Sequence, residues 1–93
     1  MRAEVKHDLD GKRFFALVNG LESNLFYEKI TDKLWELKQT LVPIELRGMG
    51  ISQEIFKHVF DFASKNNIKL RLSCLYAQVF VSFNGQFNNL LAA

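Results

Sequence analysis

The stretch Leu41 to Ser52, Leu-Val-Pro-Ile-Glu-Leu-Arg-Gly-Met-Gly-Ile-Ser, decides how the rest of this chain is arranged. Pro43 cannot donate a ladder hydrogen bond and keeps Val42 out of helical geometry, so a strand is expected to end here. Gly48 and Gly50 let a ligand approach the backbone closely. The helix that begins within a residue or two of Gly50 has unpaired N–H groups and a positive dipole at that end. Strand, glycine loop and helix N-terminus together predict a phosphate-binding cradle.

The composition bounds the classes of protein to which the chain can belong. Its 93 residues predict one domain over residues 1–93. Twelve basic and ten acidic residues, spread along the chain, give a net charge of +2, which does not indicate a nucleic-acid or anionic-membrane surface. A single cysteine, Cys74, and two histidines predict neither a disulfide nor a metal site, and an unpaired thiol is typical of a reducing, cytoplasmic setting. The charged N-terminus predicts no signal peptide, and no apolar run reaches the ~20 residues of a membrane span.

The residues before this stretch follow a period of two, which is typical of strands. Asp10-Gly11, Asn19-Gly20 and Thr31-Asp32 are turn signals, and the loop after Asn19-Gly20 is expected to extend as far as Asn24. We therefore expect an antiparallel four-stranded meander, with strands over 4–9, Lys12–Val18, Leu25–Ile30 and Lys33–Val42.

The fourth strand contains an amide where the pattern calls for an apolar residue. Strict alternation divides it into two faces, one with Trp35, Leu37, Gln39 and Leu41 and the other with Glu36, Lys38 and Thr40. A buried amide without partners costs ~1–3 kcal/mol, so Gln39 requires an explanation. It is either turned to solvent by a bulge, satisfied inside the core, or part of a polar site beside the glycine loop.

The residues after this stretch change to a helical period. Ile51 to Ala63 place seven apolar side chains on one half of a wheel, which predicts an amphipathic helix over about Gly50–Lys65 with His58 on its solvated half. Ile68–Leu72 is a strand, and the β-α-β unit implies parallel pairing with a right-handed crossover. Ser73 is the expected N-cap of a second short helix, whose apolar stripe is Tyr76, Val79, Phe80 and Phe83. Residues 86–93 are too short to assign, although Phe87, Leu90 and Leu91 are expected to pack one more turn against the body.

The order of these elements around Arg-Gly-Met-Gly-Ile-Ser resembles the cofactor half of GCN5-related N-acetyltransferases, whose acyl-CoA loop reads Gln/Arg-x-x-Gly-x-Gly/Ala. Arg47, Gly50 and Ser52 stand at its three fixed positions, and Ser52 is a small departure. The closer resemblance is to very short GNAT-like proteins, in which His-Thr-x-Val-Pro precedes the loop and the fifth strand ends in a Cys-containing segment. Here these segments read Gln39-Thr40-Leu41-Val42-Pro43 and Ser73-Cys74-Leu75-Tyr76.

The resemblance implies a minimal GNAT-like α+β fold: the meander, a helix, a parallel fifth strand and a short C-terminal helix. It also implies acetyl-CoA as co-substrate and no metal. The expected acetyl-CoA contacts are Leu41, Val42, Pro43, Arg47, Gly48, Met49, Gly50, Ile51 and Ser52. Gln39 replaces the family's His; it can hydrogen-bond but cannot take a proton, so its catalytic role is weak.

Three side chains carry alternative interpretations. Cys74, at the end of the fifth strand, either accepts the acetyl group or lies against the thioester, or it is a packed core thiol. Tyr76 either protonates the departing thiolate, as the resemblance implies, or is a core aromatic of its helix. Arg47 either contacts phosphate or pairs with Glu45 on the surface.

Two functions follow. The first is an acetyl-CoA-dependent N-acetyltransferase that acts on an unidentified small-molecule, peptide or protein amine, by direct attack or through Cys74. The second is a non-catalytic CoA-binding or protein-interaction module with the same fold. Such a short chain is expected to leave one sheet face open to a substrate, a partner chain or a homodimer contact, with Lys38, Thr40, Lys69 and Arg71 on that face.

Overall fold

The computed structural model describes residues 3–92 and confirms the α+β fold. One five-stranded sheet runs in the order β1-β2-β3-β4-β5, antiparallel through β4, with β5 parallel to β4. The strands are β1 Val5–Asp8, β2 Arg13–Val18, β3 Leu21–Thr31, β4 Leu34–Leu41 and β5 Lys69–Leu72. The helices are α1 Ile51–Lys65 and α2 Leu75–Ser82, and 3₁₀ turns cover Ile44–Leu46 and Gly85–Leu90.

The second hairpin is tighter than the sequence predicted. Val18 pairs directly with Leu21, so Asn19 and Gly20 form the whole loop. Both have positive φ, 53° and 76°, which is the geometry of a type I′ turn. The loop expected to extend to Asn24 is therefore wrong, because this turn matches the strand twist and lets β3 begin at once. β3 is eleven residues long and carries Ser23 and Asn24 into the sheet.

The core lies between one face of the sheet and the two helices. Burial alternates along β2, so that Phe14, Ala16 and Val18 face inward while Leu17 is exposed on the other face. The apolar half of α1 covers the inward face, and His58 lies in solvent as predicted. The buried side chains of α1 are Ile51, Ile55, Phe56, Val59, Phe60 and Ala63. The opposite sheet face has no helix over it in residues 3–92, in agreement with the expected open face.

The second helix is turned differently from the prediction. α2 packs on the core through Ala77 and Val81, four residues apart, whereas Val79 and Phe83 are exposed and Phe83 is 84% accessible. The predicted apolar stripe is therefore wrong for Tyr76, Val79 and Phe83, whereas its fourth member, Phe80, does pack against the core. Small side chains let α2 approach α1 closely, and the backbone of Cys74, held by β4, fixes where the helix starts and hence its rotation. Neither helix of the described chain is long and apolar enough to cross a membrane.

The C-terminal segment closes the outer edge of β5. Phe87 packs against the Phe60 ring at 5.2 Å, and Leu90 is buried. The Ala92 N–H donates to the Leu70 carbonyl at 2.9 Å, next to a single parallel bridge between Leu70 and Leu91. Residues 86–92, which the sequence left unassigned, are therefore part of the core and of the sheet edge; Ala93 lies outside the described residues.

An aromatic cluster holds β1 on the sheet and under α1. His7 stacks on Phe14 at 3.9 Å, and Tyr27 stacks on Trp35 at 4.5 Å. The ring Nε2 of His7 lies 2.6 Å from the Tyr27 hydroxyl, and Phe62 meets His7 edge-on. Burial, reinforced by the neighbouring His58, holds the pKa of His7 below its ordinary value, and burial raises the pKa of Tyr27 to about 12.

This cluster predicts a pH-dependent stability. Because unfolded His7 takes up a proton more readily than folded His7, the free energy of unfolding is expected to fall as the pH drops below about 6.5. The His7→Gln variant should lose most of this slope between about pH 7 and about pH 5, measured by urea unfolding at each pH. Asp8 and Glu36, whose pKa values are lowered from ordinary values of 3.8 and 4.5, act mainly below about pH 4.5, under this window. An equal slope in the variant would contradict the prediction.

Candidate active site

A bulge in β4 decides which side chains enter the site. Leu37 lies opposite Tyr27 and Gln39 lies opposite Phe26, so Lys38 is an extra residue with no counterpart on β3. Beyond the bulge the two faces exchange: Thr40 turns toward the helices, and Gln39 turns outward. The predicted faces of the strand are therefore wrong from Gln39 onward, whereas Lys38 stays on the open face as predicted. Gln39 is exposed on that face, which confirms the alternative of a bulge that turns it to solvent and corrects its weak catalytic assignment.

The end of β5 leaves a gap beside β4. The ladder between the two strands extends only from Leu34 to Leu37. The N–H groups of Ser73 and Cys74 then both donate to the Leu37 carbonyl, at 3.0 and 3.2 Å, and the chain turns away into α2. Within residues 3–92 the edge of β4 from Lys38 to Leu41 has no ladder partner on this side, so its backbone groups are available to a ligand.

Ser73 holds this junction through its side chain rather than capping α2. Its hydroxyl donates to Glu36, whose carboxylate also lies 3.5 Å from Lys38 and 3.9 Å from Arg71. The Ser73 hydrogen bond, followed by the two cations, lowers the pKa of Glu36. The N-cap of α2 is Cys74, so the Ser73 cap predicted from the sequence is wrong. Lys38 and Arg71 do lie on the open sheet face, whereas Thr40 does not.

The glycine loop ends in an uncapped helix N-terminus, as predicted. Gly48 and Gly50 have φ of 80° and 78°, a left-handed conformation that glycine adopts without strain. Gly50 is the N-cap of α1, and no side chain in the described chain caps the helix. The N–H groups of its first turn are therefore left to an anion, at the positive end of the dipole.

Arg47 stands at the edge of this loop with its charge exposed. Its Nε donates to the Val42 carbonyl at 3.3 Å, which anchors the side chain across the 3₁₀ turn. Among residues 3–92 there is no ion pair between Arg47 and Glu45, so the surface pair considered from the sequence is not formed. The guanidinium is thus available beside the helix N-terminus.

The gap and the loop form one cleft of about 600 Å³. Eight of the nine residues expected to contact acetyl-CoA line its wall, and the side chain of the ninth, Met49, packs against the core. Sequence reasoning missed four wall residues, Glu22, Asn24, Thr40 and Leu46. The position of β3 beside β4 and the bulge bring the first three here, and the 3₁₀ turn Ile44–Leu46 brings Leu46. The full lining is Glu22, Asn24, Thr40, Leu41, Val42, Pro43, Leu46, Arg47, Gly48, Gly50, Ile51, Ser52 and Tyr76.

The two sequence candidates on α2 take different places. Tyr76 lines the cleft and is 66% exposed, so the alternative of a core aromatic is wrong. Cys74 is only 5% exposed and does not line the cleft. Its Sγ lies 3.1 Å from the Thr40 hydroxyl, and Thr40 does line the cleft. The thiol is thus directly behind Thr40 and one side chain away from the space that a ligand would occupy.

A second groove of about 720 Å³ continues from the glycine loop between α1 and α2. It shares Gly50, Ser52 and Tyr76 with the cleft. Besides Tyr76, four phenylalanines line the groove, and its charged residues in the described chain are Lys57 and Glu54. The phenylalanines are Phe56, Phe80, Phe83 and Phe87. The described residues contain no group of three or more side chains suited to hold a metal ion.

Comparisons with known proteins agree with this geometry. The model of the family described as GCN5-related N-acetyl-transferase matches residues 13–90. Protein NATD1 of Danio rerio is 34% identical over 85 residues, which cover 89% of this chain and 77% of that protein. Protein NATD1 of Homo sapiens is 33% identical over 82 residues, covering 86% and 73% respectively.

A solved structure shares the fold over nearly the whole chain. A GCN5-like protein from Staphylococcus aureus, determined by NMR in solution, superposes with a TM-score of 0.75 at 22% identity, covering 99% of this chain and 90% of that one. The family match over residues 13–90, the relatives above 30% identity and the strand gap that opens onto a glycine loop all lead to one assignment: the chain belongs to the GCN5-related N-acetyltransferase family.

Proposed function

We propose that this protein is an acetyl-CoA-dependent N-acetyltransferase that transfers the acetyl group directly to a primary amine. One observation carries the proposal: the unpaired edge of β4 and the uncapped N-terminus of α1 open into the same cleft. A phosphate-bearing, peptide-like thioester requires both features together. Neither is needed to build the core, since both leave backbone groups without protein partners.

The phosphates fit the glycine loop. The pyrophosphate would accept hydrogen bonds from the first N–H groups of α1, beyond Gly50, where the dipole also favours negative charge. Arg47 would add a charge-assisted contact at the loop edge. The nucleotide would then continue into the aromatic groove, where Lys57 offers a cation and the phenylalanines offer ring faces.

The pantetheine arm fits the gap between the strands. Its two amides would pair with the free backbone groups of β4 between Lys38 and Leu41, in place of the ladder that β5 leaves at Leu37. The thioester would then lie near Thr40, and a β4 N–H would stabilise the oxyanion that develops on its carbonyl oxygen. Leu41, Val42 and Pro43 would supply the apolar wall.

The transfer then needs two proton movements. The neutral amine nitrogen attacks the thioester carbonyl carbon, a C–N bond forms and the C–S bond breaks, giving an amide and a thiolate. An amine that arrives as ammonium first releases a proton to solvent water, and on attack its nitrogen passes a second proton to water in the open cleft. The departing thiolate takes a proton from a protein donor. We assign that role to Tyr76, whose side chain is largely exposed and lines the cleft together with Thr40.

If the amine attacks acetyl-CoA directly, Cys74→Ala should lose little activity. The burial of the thiol behind Thr40 supports a role for it in the cleft wall rather than as an acceptor of the acetyl group. The variant is expected to keep kcat within about tenfold of the original, and intact-mass measurements after mixing with acetyl-CoA should show no acetylated protein. An acyl-enzyme route would instead give a stable mass increase on Cys74 and loss of more than about a thousandfold in kcat.

The proposed function is tested by two measurements in sequence. Calorimetric titration with acetyl-CoA should show saturable binding at one site per chain. Release of free CoA thiol should then depend on the amine over a panel of alkylamines, arylamines, peptides and polyamines. Binding without turnover over the whole panel would contradict the enzyme and leave the CoA-binding module, whereas absence of binding would contradict both.

A second candidate function, a protein-interaction module or homodimer, is favoured by the outer face of α2. Leu75, Val79 and Phe83 are exposed there, and residues 72–93 contain no charged side chain. Uncharged surfaces with exposed aromatic residues are typical of interface centres. Sedimentation equilibrium over a range of protein concentrations tests for the homodimer, because a monomer mass at every concentration would exclude it.

A further inference from the structure

The cleft has an acidic end that acetyl-CoA does not explain. In the β3–β4 register Asn24 lies directly opposite Leu41, the last residue of β4. Glu22 is two residues further along the same face of β3, so it lies past the end of β4. Both line the same cleft as Thr40 and Tyr76. They reach it from the open sheet face, the side away from α1.

The charges of the cleft are therefore divided between its two ends. Arg47 and the α1 N-terminus make one end positive, and Glu22 is the one carboxylate that lines the cleft in the described chain. The Glu22 carboxylate has no partner of opposite charge in acetyl-CoA, which itself carries several negative charges. It would attract a second ligand that carries a positive charge.

Arg13 holds this acidic end in a fixed geometry. Its Nη1 donates both to Oε1 of Glu22 and, at 2.6 Å, to Oδ1 of Asn24, and its Nε donates to Asp8 at 3.1 Å. Its guanidinium stacks over the Phe15 ring at 4.2 Å. Hydrogen bonds to the Asp8 and Glu22 carboxylates raise the pKa of Arg13, so the cation persists.

The network leaves one hydrogen-bonding group on Glu22 and one on Asn24 free to bind a ligand. Arg13 uses one oxygen of the Glu22 carboxylate, and the second oxygen can still accept. With Oδ1 of Asn24 taken by Arg13, its amide group is left to donate. Asp8, Glu22 and Arg13 sum to a charge of −1. A positioned carboxylate with net negative surroundings suits a protonated amine.

We infer that Glu22 binds the ammonium group of the acceptor, which enters from the open sheet face, and that the acceptor is an alkylamine charged at neutral pH. This inference rests on the proposed function for its place in a reaction, but the binding event itself does not require turnover. Asn24 contributes a second hydrogen bond to the acceptor, beside the end of β4.

The test measures ammonium binding directly. Butylammonium is titrated into the ¹⁵N-labelled protein, free and saturated with CoA, while the amide signals of Glu22, Asn24 and Leu41 are followed by NMR. The original protein should show saturable shifts at these signals. Glu22→Gln should weaken binding by about tenfold or more, because it removes a charge-assisted contact and keeps the size of the side chain.

Glu28→Gln is the matched control. Glu28 is on the same strand and the same open face, 4.0 Å from Lys38, but it does not line the cleft. It should change butylammonium affinity by less than about twofold. In turnover assays Glu22→Gln should raise KM for butylamine by about tenfold, with KM for aniline, which is neutral at this pH, unchanged.

The outcomes separate this inference from the proposed function. Equal butylammonium affinity in Glu22→Gln and the original protein, or no saturable shift near Glu22 in the original, would overturn the acceptor site. An acetyl-CoA titration on the same samples tests the proposed function alone, since Glu22→Gln should bind acetyl-CoA as the original does. If the original protein binds butylammonium but does not bind acetyl-CoA, the proposed function is contradicted and only the ammonium site is supported.

Discussion

Replacement of Gly50 by aspartate is expected to weaken acetyl-CoA binding by about a hundredfold or more. The new carboxylate would stand at the N-cap of α1, where the pyrophosphate is proposed to accept the first N–H groups of the helix. It would both occupy those donors and repel the phosphates, and like charges placed together cost several kcal/mol. Calorimetric titration with acetyl-CoA measures the effect.

Two controls separate charge from backbone strain. Gly20 has φ of +76°, close to the +78° of Gly50, and a side chain at either position has room. Gly20→Asp should therefore lose a similar ~1 kcal/mol of unfolding free energy while its acetyl-CoA affinity stays unchanged. Gly50→Asn introduces a side chain of the same size as aspartate but without its charge, so this variant should lose far less acetyl-CoA affinity. Equal losses for Gly50→Asn and Gly50→Asp would show that shape, not charge, carries the effect.

Replacement of Tyr76 by phenylalanine is expected to lower kcat by about a hundredfold or more, which is the typical contribution of a positioned proton donor. The side chain is largely exposed in the cleft, so the loss of one hydroxyl should leave stability and acetyl-CoA affinity nearly unchanged. Release of CoA thiol at saturating substrates gives kcat.

The chain's other tyrosine provides the converse control. Tyr27 is buried and shares a hydrogen bond with His7. Tyr27→Phe removes that bond and leaves the His7 nitrogen without its partner, so unfolding free energy should fall by ~1–3 kcal/mol while kcat is retained. If Tyr76→Phe keeps full activity, or if both variants lose stability equally, Tyr76 is not the proton donor.

Short sequence patterns predicted the structure correctly where the backbone preferences of the residues present fix the geometry. The turn at Asn19-Gly20, the strand end before Pro43 and the helix start after Gly50 all depend on backbone preferences of the residues present, and the structure has each of them. The amphipathic pattern of α1 likewise found its buried face, because a long helix that covers a sheet has little freedom in its rotation.

The bulge in β4 was one of three possibilities that the sequence left open for Gln39, and β4 alone could not choose between them. A bulge adds an extra residue to one strand of a pair, so its presence depends on the register with β3 as much as on β4. Strict alternation placed Gln39 on the apolar face and Thr40 outside, and the extra residue Lys38 reversed both. The consequence is functional: Thr40, which was assigned to the open face, meets Cys74 and lines the cleft, and the amide that replaces the family's histidine lies elsewhere.

By itself, the sequence indicated the family through the resemblance of its motifs. It also determined the order of the elements and the glycine loop, because these follow from local conformational preference and from periodicities that need no partner. Only the tertiary structure decided the wall of the cleft and its charges. The rotation of α2, which exposes Tyr76, is set by packing against α1 and by the two hydrogen bonds to Leu37. Glu22 and Asn24 reach the cleft because of strand register, which joins residues about twenty positions apart in the chain. Long-range pairing of this kind leaves no mark on any short stretch of sequence.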